Sequence, residues 1–202
     1  MGGEFYDINF FNERAAITLG DIHAKGIPGA LQASIVNGAL KSLSAIGGLS
    51  PEYIHRQIND LIKKQMGAVK QVSLFYGVVS LEGGTISYVN SGIAYPILVR
   101  DGVARYIKIG GKSLDGSAEE FKKVRVNLKN GDMFVIITDG IIARKNRNGI
   151  QLGLKKIMDF LGRSSGSARE IIDSLFAYAD EFTEGVEAKE DISVIALKIH
   201  QD

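Results

Sequence analysis

The chain has 202 residues, 45% hydrophobic and 23% charged, a composition that predicts an ordinary soluble domain able to bury its own core and excludes fibrous, collagen-like and disordered classes. Its 24 Lys and Arg against 23 Asp and Glu leave a formal charge of +1, without the basic excess of a nucleic-acid or membrane-surface protein. With no cysteine, disulfide scaffolds, thiolate zinc sites and cysteine nucleophiles are excluded, while hard-ligand metal chemistry stays open.

The first residues, Met1 to Asp7, have neither the basic end nor the apolar run of a signal peptide, and no apolar stretch reaches about 18 residues. A cytoplasmic location is expected. The first strand is predicted at 15–19, followed by helical period over 28–46, with Leu31, Ile35, Ala39 and Leu43 near one face. A second helix is predicted over 51–66, with Ile54, Ile58, Leu61 and Ile62 as its apolar positions. Ser50 before Pro51 is an N-cap signal with proline at the first helical position.

Runs of β-branched residues cut by glycine turns then predict strands at 72–81, 85–90, 95–100, 103–109, 124–128 and 133–138. Glu82-Gly83-Gly84 and Asp101-Gly102 supply the positive-φ residues of tight hairpins, and Asn130-Gly131-Asp132 turns the chain between two further strands. A helix at 154–161, another from Ser167 to about 182 with capping-box spacing to Glu170, and a strand at 192–199 complete the order. Three prolines and no repeat of roughly 20–50 residues point to one domain over 1–202. Helices segregated from mainly antiparallel strands define an α+β class, with two sheets and helices outside.

The acids at strand ends carry the chemistry. Asp21 follows the run Ala16-Ile17-Thr18-Leu19-Gly20, Asp139-Gly140 follows Met133 to Thr138, and Glu190-Asp191 stands immediately before Ile192. A lone Asp-Gly after a strand is most often only a turn. Three acidic strand ends on one rim would instead repel one another unless a cation neutralised them, and oxygen-only ligands select hard ions such as Mg²⁺ or Mn²⁺. Glu4 and Asp7, just before the first predicted strand, would extend the cluster.

In order along the chain stand Gly2-Gly3-Glu4-Phe5-Tyr6-Asp7, Gly20-Asp21-Ile22-His23-Ala24-Lys25-Gly26, Tyr88-Val89-Asn90-Ser91-Gly92, Thr138-Asp139-Gly140 and Glu190-Asp191-Ile192-Ser193. This series resembles the motifs of the SpoIIE-type branch of the metal-dependent protein serine/threonine phosphatases, the PPM superfamily. The resemblance implies a four-layer α-β-β-α sandwich of two mainly antiparallel sheets. It implies two Mn²⁺ or Mg²⁺ ions, with Asp21 as bridging ligand, the Ile22 carbonyl beside it, Asp139 on one metal, and Glu190 and Glu4 at the positions of the last and first acids. The implied reaction is hydrolysis of phosphoserine or phosphothreonine on a regulatory protein, an anti-sigma-factor antagonist of the STAS type, by a water shared between two cations. Asp21 and Asp139 are the acids on which catalysis would depend.

The chain departs from the pattern at several positions. Glu4 stands where the family usually has Asp, and Glu190-Asp191 replaces Asp-Asp, each extra methylene moving a carboxylate outward by about 1.5 Å. Ile93 follows Gly92 where a histidine is usual, and Ala24 stands where glycine is common. The glutamates keep open a second reading, a catalytically weak or inactive domain of the same fold that binds a partner. The first motif at 2–7 leaves no room for the strand or sensor domain usual before it, the pattern of an excised domain, whose open sheet edge would favour a homodimer.

The remaining residues have blander readings. His23 is expected on an exposed loop, and His55 and His200 on the surface. Lys25-Gly26 is a helix start or an anion contact. Gly110-Gly111-Lys112-Ser113 lacks the upstream glycine spacing of a phosphate loop, so no nucleotide site is expected. Arg144-Lys145-Asn146-Arg147 is a solvated loop or an attractor of phosphoprotein.

Overall fold

The computed structural model describes residues 3–24, 26–65 and 71–200; Gly2, Lys25 and Met66, which the motifs and the second helix above include, lie outside the described residues. The chain divides into two compact units, Met1–Ile93 with Ile109–Leu128, and Ala94–Lys108 with Lys129–Asp202.

The first unit is a five-stranded antiparallel sheet, ordered β1 (Glu4–Phe11), β2 (Arg14–Ile22), β3 (Val72–Ser80), β4 (Thr85–Ser91) and β7 (Val124–Asn127), with helices α1 (Gly26–Ile46) and α2 (Pro51–Gln65). Ala16, Ile22, Val72, Leu74 and Tyr76 face these helices and join Val36, Leu40, Ile54, Ile58 and Ile62 in one core. The opposite face, with Ile17, Leu19, Phe75, Ile86 and Tyr88, is buried as well. Burial on both faces is why β2 and β3 read as continuous apolar runs and not as alternations. Ser50 caps α2, its Oγ accepting the Tyr53 N–H at 3.2 Å.

Three expectations change here. The sequence predicts no strand at 4–11, yet β1 pairs along its whole length with β2. Its alternation runs against burial, with Tyr6 and Phe10 66% and 76% exposed, and its turn has no glycine, Asn12 itself taking φ +50°. In α1 the buried positions are Gly29, Ala33, Val36, Leu40 and Ser44, while Leu31 and Ile35 are exposed. That face carries Val36 and Leu40 into the core shared with α2 and β3, and at its start a Cβ at Gly29 would lie 2.3 Å from the Ala24 carbonyl oxygen, where only glycine fits. His55 is fully buried, its ring nitrogens 3.0 and 3.2 Å from the carbonyls of Pro51 and Leu74. Desolvation pushes its pKa down to about 4, against the pull of those two carbonyls.

The second unit is a four-stranded antiparallel sheet, ordered β6 (Val103–Tyr106), β5 (Ile97–Arg100), β8 (Met133–Ile137) and β9 (Val194–Lys198). Helices α3 (Asp139–Ile142), α4 (Gly153–Arg163) and α5 (Ala168–Thr183) share its core, where Ile97, Met133, Val135 and Ile137 meet Ile157, Leu161, Ile171 and Leu175. The β5–β6 hairpin turns at Asp101 and Gly102, with φ of +51° and +73°. Asp132 is buried on Arg100, whose Nε and Nη2 donate to its carboxylate at 2.9 and 2.5 Å. Burial pushes the Asp132 carboxyl up, but the Arg100 guanidinium and the Lys129 N–H outweigh it and hold it below the usual carboxylate range. The predicted capping box is present at Ser167 and Glu170.

Candidate metal centre

In the first unit, β1 and β2 set Glu4 directly opposite Asp21. Directly opposed residues of an antiparallel pair share one sheet face, here the face away from α1 and α2, and like charges so placed destabilise the pairing. Gly20, opposite Phe5, makes the pairing close: a Cβ there would sit 2.2 Å from the end of the Phe5 ring. Beyond the pair, the Ile22 N–H donates to the Gly3 carbonyl at 3.2 Å, and the Ile22 carbonyl accepts the Ala24 N–H at 2.6 Å. A Cβ on Gly3 would lie 2.4 Å from that Ile22 oxygen, so glycine leaves it uncovered on that side. Asp7 lies further along β1 and bonds Asn9 and Lys41.

His23 is exposed, with Nε2 2.8 Å from the Oγ of Ser73, which is 3.0 Å from the Oγ of Ser113. Ser73 stands opposite Asp21 in the β2–β3 ladder. Asn90 closes its own turn: its Nδ2 donates to the Ile93 carbonyl at 2.9 Å and its Oδ1 accepts the Ile93 N–H at 3.2 Å. Gly92 takes φ +85° between them, and a Cβ there would meet Ser113 Oγ at 2.1 Å. The Asn-x-Gly motif thus shapes backbone.

In the second unit, Asp139 opens α3 at the end of β8, exposed, where the Asp-Gly dipeptide alone predicts a turn. The segment before β9 is latched to it. The Thr138 N–H donates to the Ser193 carbonyl at 3.1 Å, and Thr138 Oγ1 accepts the Ser193 N–H at 2.9 Å. These bonds start β9 at Val194 and not at Ile192. A Cβ on Gly140 would lie 2.0 Å from the Asp191 carbonyl oxygen, so this glycine lets the 190–191 backbone lie against the first turn after Asp139. Arg144, read from sequence as part of a solvated loop, is buried: its side chain is 8% exposed and spans to Asp180, Thr183 Oγ1 and the Val186 carbonyl. No local signal marks it, because all three partners lie more than 35 residues away along the chain.

Among the described residues, no three His, Cys, Asp or Glu side chains gather into a group that could hold a metal ion. The donor chemistry of each unit nonetheless fits a hard divalent cation. Glu4, Asp21 and the Ile22 carbonyl offer oxygen alone, as do Asp139 and Glu190, and the opposed Glu4–Asp21 pair is an arrangement that a cation stabilises. No helix among the described residues is long and apolar enough to cross a membrane.

Two antiparallel sheets with their helices make the α+β fold of the PP2C-type phosphatase domains. The SiaA-PP2C domain of Pseudomonas aeruginosa matches it with a TM-score of 0.87 at 18% identity, over 98% of this chain and 81% of that one. The catalytic domain of the serine threonine protein phosphatase PstP, solved in complex with 2 manganese ions, matches with a TM-score of 0.69 at 15% identity, over 100% and 93%. The chain belongs to the Stage II sporulation protein E (SpoIIE) family, whose model matches residues 12–200. Phosphoserine phosphatase RsbU of Bacillus subtilis is 26% identical over 91% of this chain. The chain spans 58% and 36% of the lengths of the two curated relatives it matches.

Proposed function

We propose that the chain is a cytoplasmic, metal-dependent protein serine/threonine phosphatase acting on a phosphorylated regulatory protein, an anti-sigma-factor antagonist of the STAS type. The observation that carries this reading is the Glu4–Asp21 pair, two carboxylates opposed on one sheet face in a chain of the SpoIIE family. Glu4, Asp21, the Ile22 carbonyl, Asp139 and Glu190 supply the oxygen ligands of two Mn²⁺ or Mg²⁺ ions. When bound, such cations supply an activated water and neutralise charge on the phosphoryl oxygens. The chain's own part is positioning. The β1–β2 register fixes Glu4 beside Asp21, and the Thr138–Ser193 latch fixes Asp139 beside the segment that bears Glu190. No protein nucleophile is needed, so the missing cysteines cost nothing.

Release of phosphate from a phosphoserine peptide by the Mn²⁺-supplemented protein tests the reading. Activity is expected to disappear in Asp21→Asn and in Asp139→Asn; full activity in either variant rejects the site. Glu4 and Glu190 favour one alternative, a partner-binding domain without turnover. Absence of binding heat at millimolar Mn²⁺ would select it.

A further inference from the structure

Among the described residues, β1 is the outer strand of the first unit's sheet. The Ile22 N–H donates to the Gly3 carbonyl, so these two residues are a hydrogen-bonded pair that continues the β1–β2 register. Hydrogen-bonded and non-hydrogen-bonded pairs alternate along an antiparallel ladder. Phe5, Asp7, Asn9 and Phe11 therefore direct their N–H and C=O groups to β2, and Tyr6, Ile8 and Phe10 turn theirs to the open edge. The side chains of the same three residues are exposed, Ile8 by 43% and both rings by more.

An edge of this kind is a template for pairing, which proteins blunt with Lys, other charged side chains or Pro. The opposite edge of the sheet is blunted in that way, since β7 bears exposed Arg125 between exposed Lys122 and Lys129. From 4 to 11, β1 has no Lys, Arg or Pro. Its pattern is instead symmetric about Ile8. An aromatic ring stands two residues away on either side on one face, and Asp7 and Asn9 flank it on the other.

We propose that β1 is the pairing surface of a homodimer, in which two copies join these edges antiparallel with Ile8 on the two-fold axis. Hydrogen bonds across such a contact join outward-facing residues, so the two registers of greatest overlap centre on Ile8 or on Asp7. Centring on Asp7 sets two like carboxylates directly opposite each other, which is destabilising. Centring on Ile8 sets Tyr6 opposite Phe10 of the second copy and Asp7 opposite its Asn9. That gives an aromatic pair and an acceptor facing an amide donor, each made twice. Each copy contributes the same edge, so the contact closes at two. The exposed part of each ring is roughly 100–200 Å². With Ile8 and the edge backbone, the buried area comes to about 1,000 Å², the low end for specific interfaces, where association is weak.

Sedimentation velocity of the full chain in chelator, from about 1 to 200 μM, is expected to show a monomer–dimer equilibrium with a Kd of about 10 μM. Ile8→Lys sets two ammonium groups at the axis and should weaken the dimer by about tenfold or more. Because the chain has no cysteine, a single introduced one reports the register. In Ile8→Cys the two Cα atoms lie about 5.5 Å apart across the axis, within disulfide reach, and mild oxidation should yield a covalent dimer. In Tyr6→Cys they lie about 13 Å apart, and cross-linking should be at least about tenfold slower. The cysteine pair reads the contact even if the lysine variant fails to fold. A monomer throughout the concentration range overturns the proposal, as do species larger than a dimer, which β1 laid on the basic β7 of another copy would give. A dimer that folded Ile8→Lys leaves unchanged, or equal cross-linking of the two cysteine variants, overturns it as well. None of these measurements involves turnover, so their outcome is independent of the phosphatase reading.

Discussion

The two units hold their acids by different means. In the first, Glu4 and Asp21 are fixed by ladder register on neighbouring strands, so eight consecutive pairs from Glu4–Asp21 to Phe11–Arg14 share the work of alignment. In the second, Asp139 and Glu190 lie on segments outside any ladder, held by the Thr138–Ser193 bonds and by the contact at Gly140. A site distributed over a ladder keeps its backbone in place when one contact changes. One held by two hydrogen bonds and one close approach shifts its backbone instead.

Glycine-to-alanine substitutions expose the difference most sharply. At Gly140 the new Cβ would meet a carbonyl oxygen at 2.0 Å, and backbone has to move. At Gly20 it would meet the far end of the Phe5 ring at 2.2 Å, and a side chain moves instead. Overpacking of this kind costs about 3 kcal/mol for Gly140→Ala and about 1 kcal/mol for Gly20→Ala. Thermal unfolding should therefore show a loss of roughly 6–12 °C in Tm for the first and roughly 2–4 °C for the second. Phosphate release should fall further in Gly140→Ala than its stability accounts for, because the 190–191 segment is displaced. Equal losses in the two variants would break the comparison.

The buried polar groups differ in the same sense. The first unit buries a neutral imidazole at His55, the second a carboxylate paired to Arg100 at Asp132. The folded pKa of His55, about 4, lies below its ordinary value of 6.5, so the folded state binds fewer protons than the unfolded one between these values. Its contribution is complete above pH 6.5 and is lost as pH falls towards 4, about 3 kcal/mol over that window. Asp132 is also depressed, so its contribution is lost only as pH falls below the ordinary carboxylate range. Residue-resolved hydrogen exchange from pH 7 to 4 should show α2 and β3 losing protection before β5 and β8. The reverse order would show that His55 does not govern the acid response.

Much of this was legible in the sequence where the signal is local. Ser167 and Glu170 cap a helix three residues apart, and Asp101-Gly102 makes its own turn, so neither depends on distant parts of the chain. The acids at the ends of β2 and β8 were legible for the same reason. The rest is set by partners far along the chain. The pairing of β1 with β2 puts Glu4 opposite Asp21, but the exposed aromatic face of β1 hides the strand from any pattern of burial. The buried stripe of α1 is the one whose Val36 and Leu40 meet Ile54, Ile58 and Leu74, and it leaves the larger side chains of Leu31 and Ile35 exposed. His55 and Arg144 look like surface residues until Leu74 and Thr183 are placed beside them.

The smallest expected effect concerns the two glutamates, and it separates ladder from latch once more. Shortening Glu4 to Asp withdraws a carboxylate by about 1.5 Å on a strand whose backbone is fixed by β2, so Asp21 cannot follow. Shortening Glu190 to Asp acts on an exposed segment outside any strand, where the backbone can adjust to recover the ligand. Mn²⁺ titration by calorimetry should therefore show a change of about tenfold in affinity for Glu4→Asp and about threefold or less for Glu190→Asp, the direction for Glu4 being tighter if the shorter acid restores octahedral geometry. A sharp loss of affinity in Glu4→Asp would show that the longer side chain is adapted to this ladder. An effect at Glu190 as large as that at Glu4 would mean that the latch is as rigid as the ladder, and that Gly140 and Thr138 hold the second unit's acids as firmly as register holds the first's.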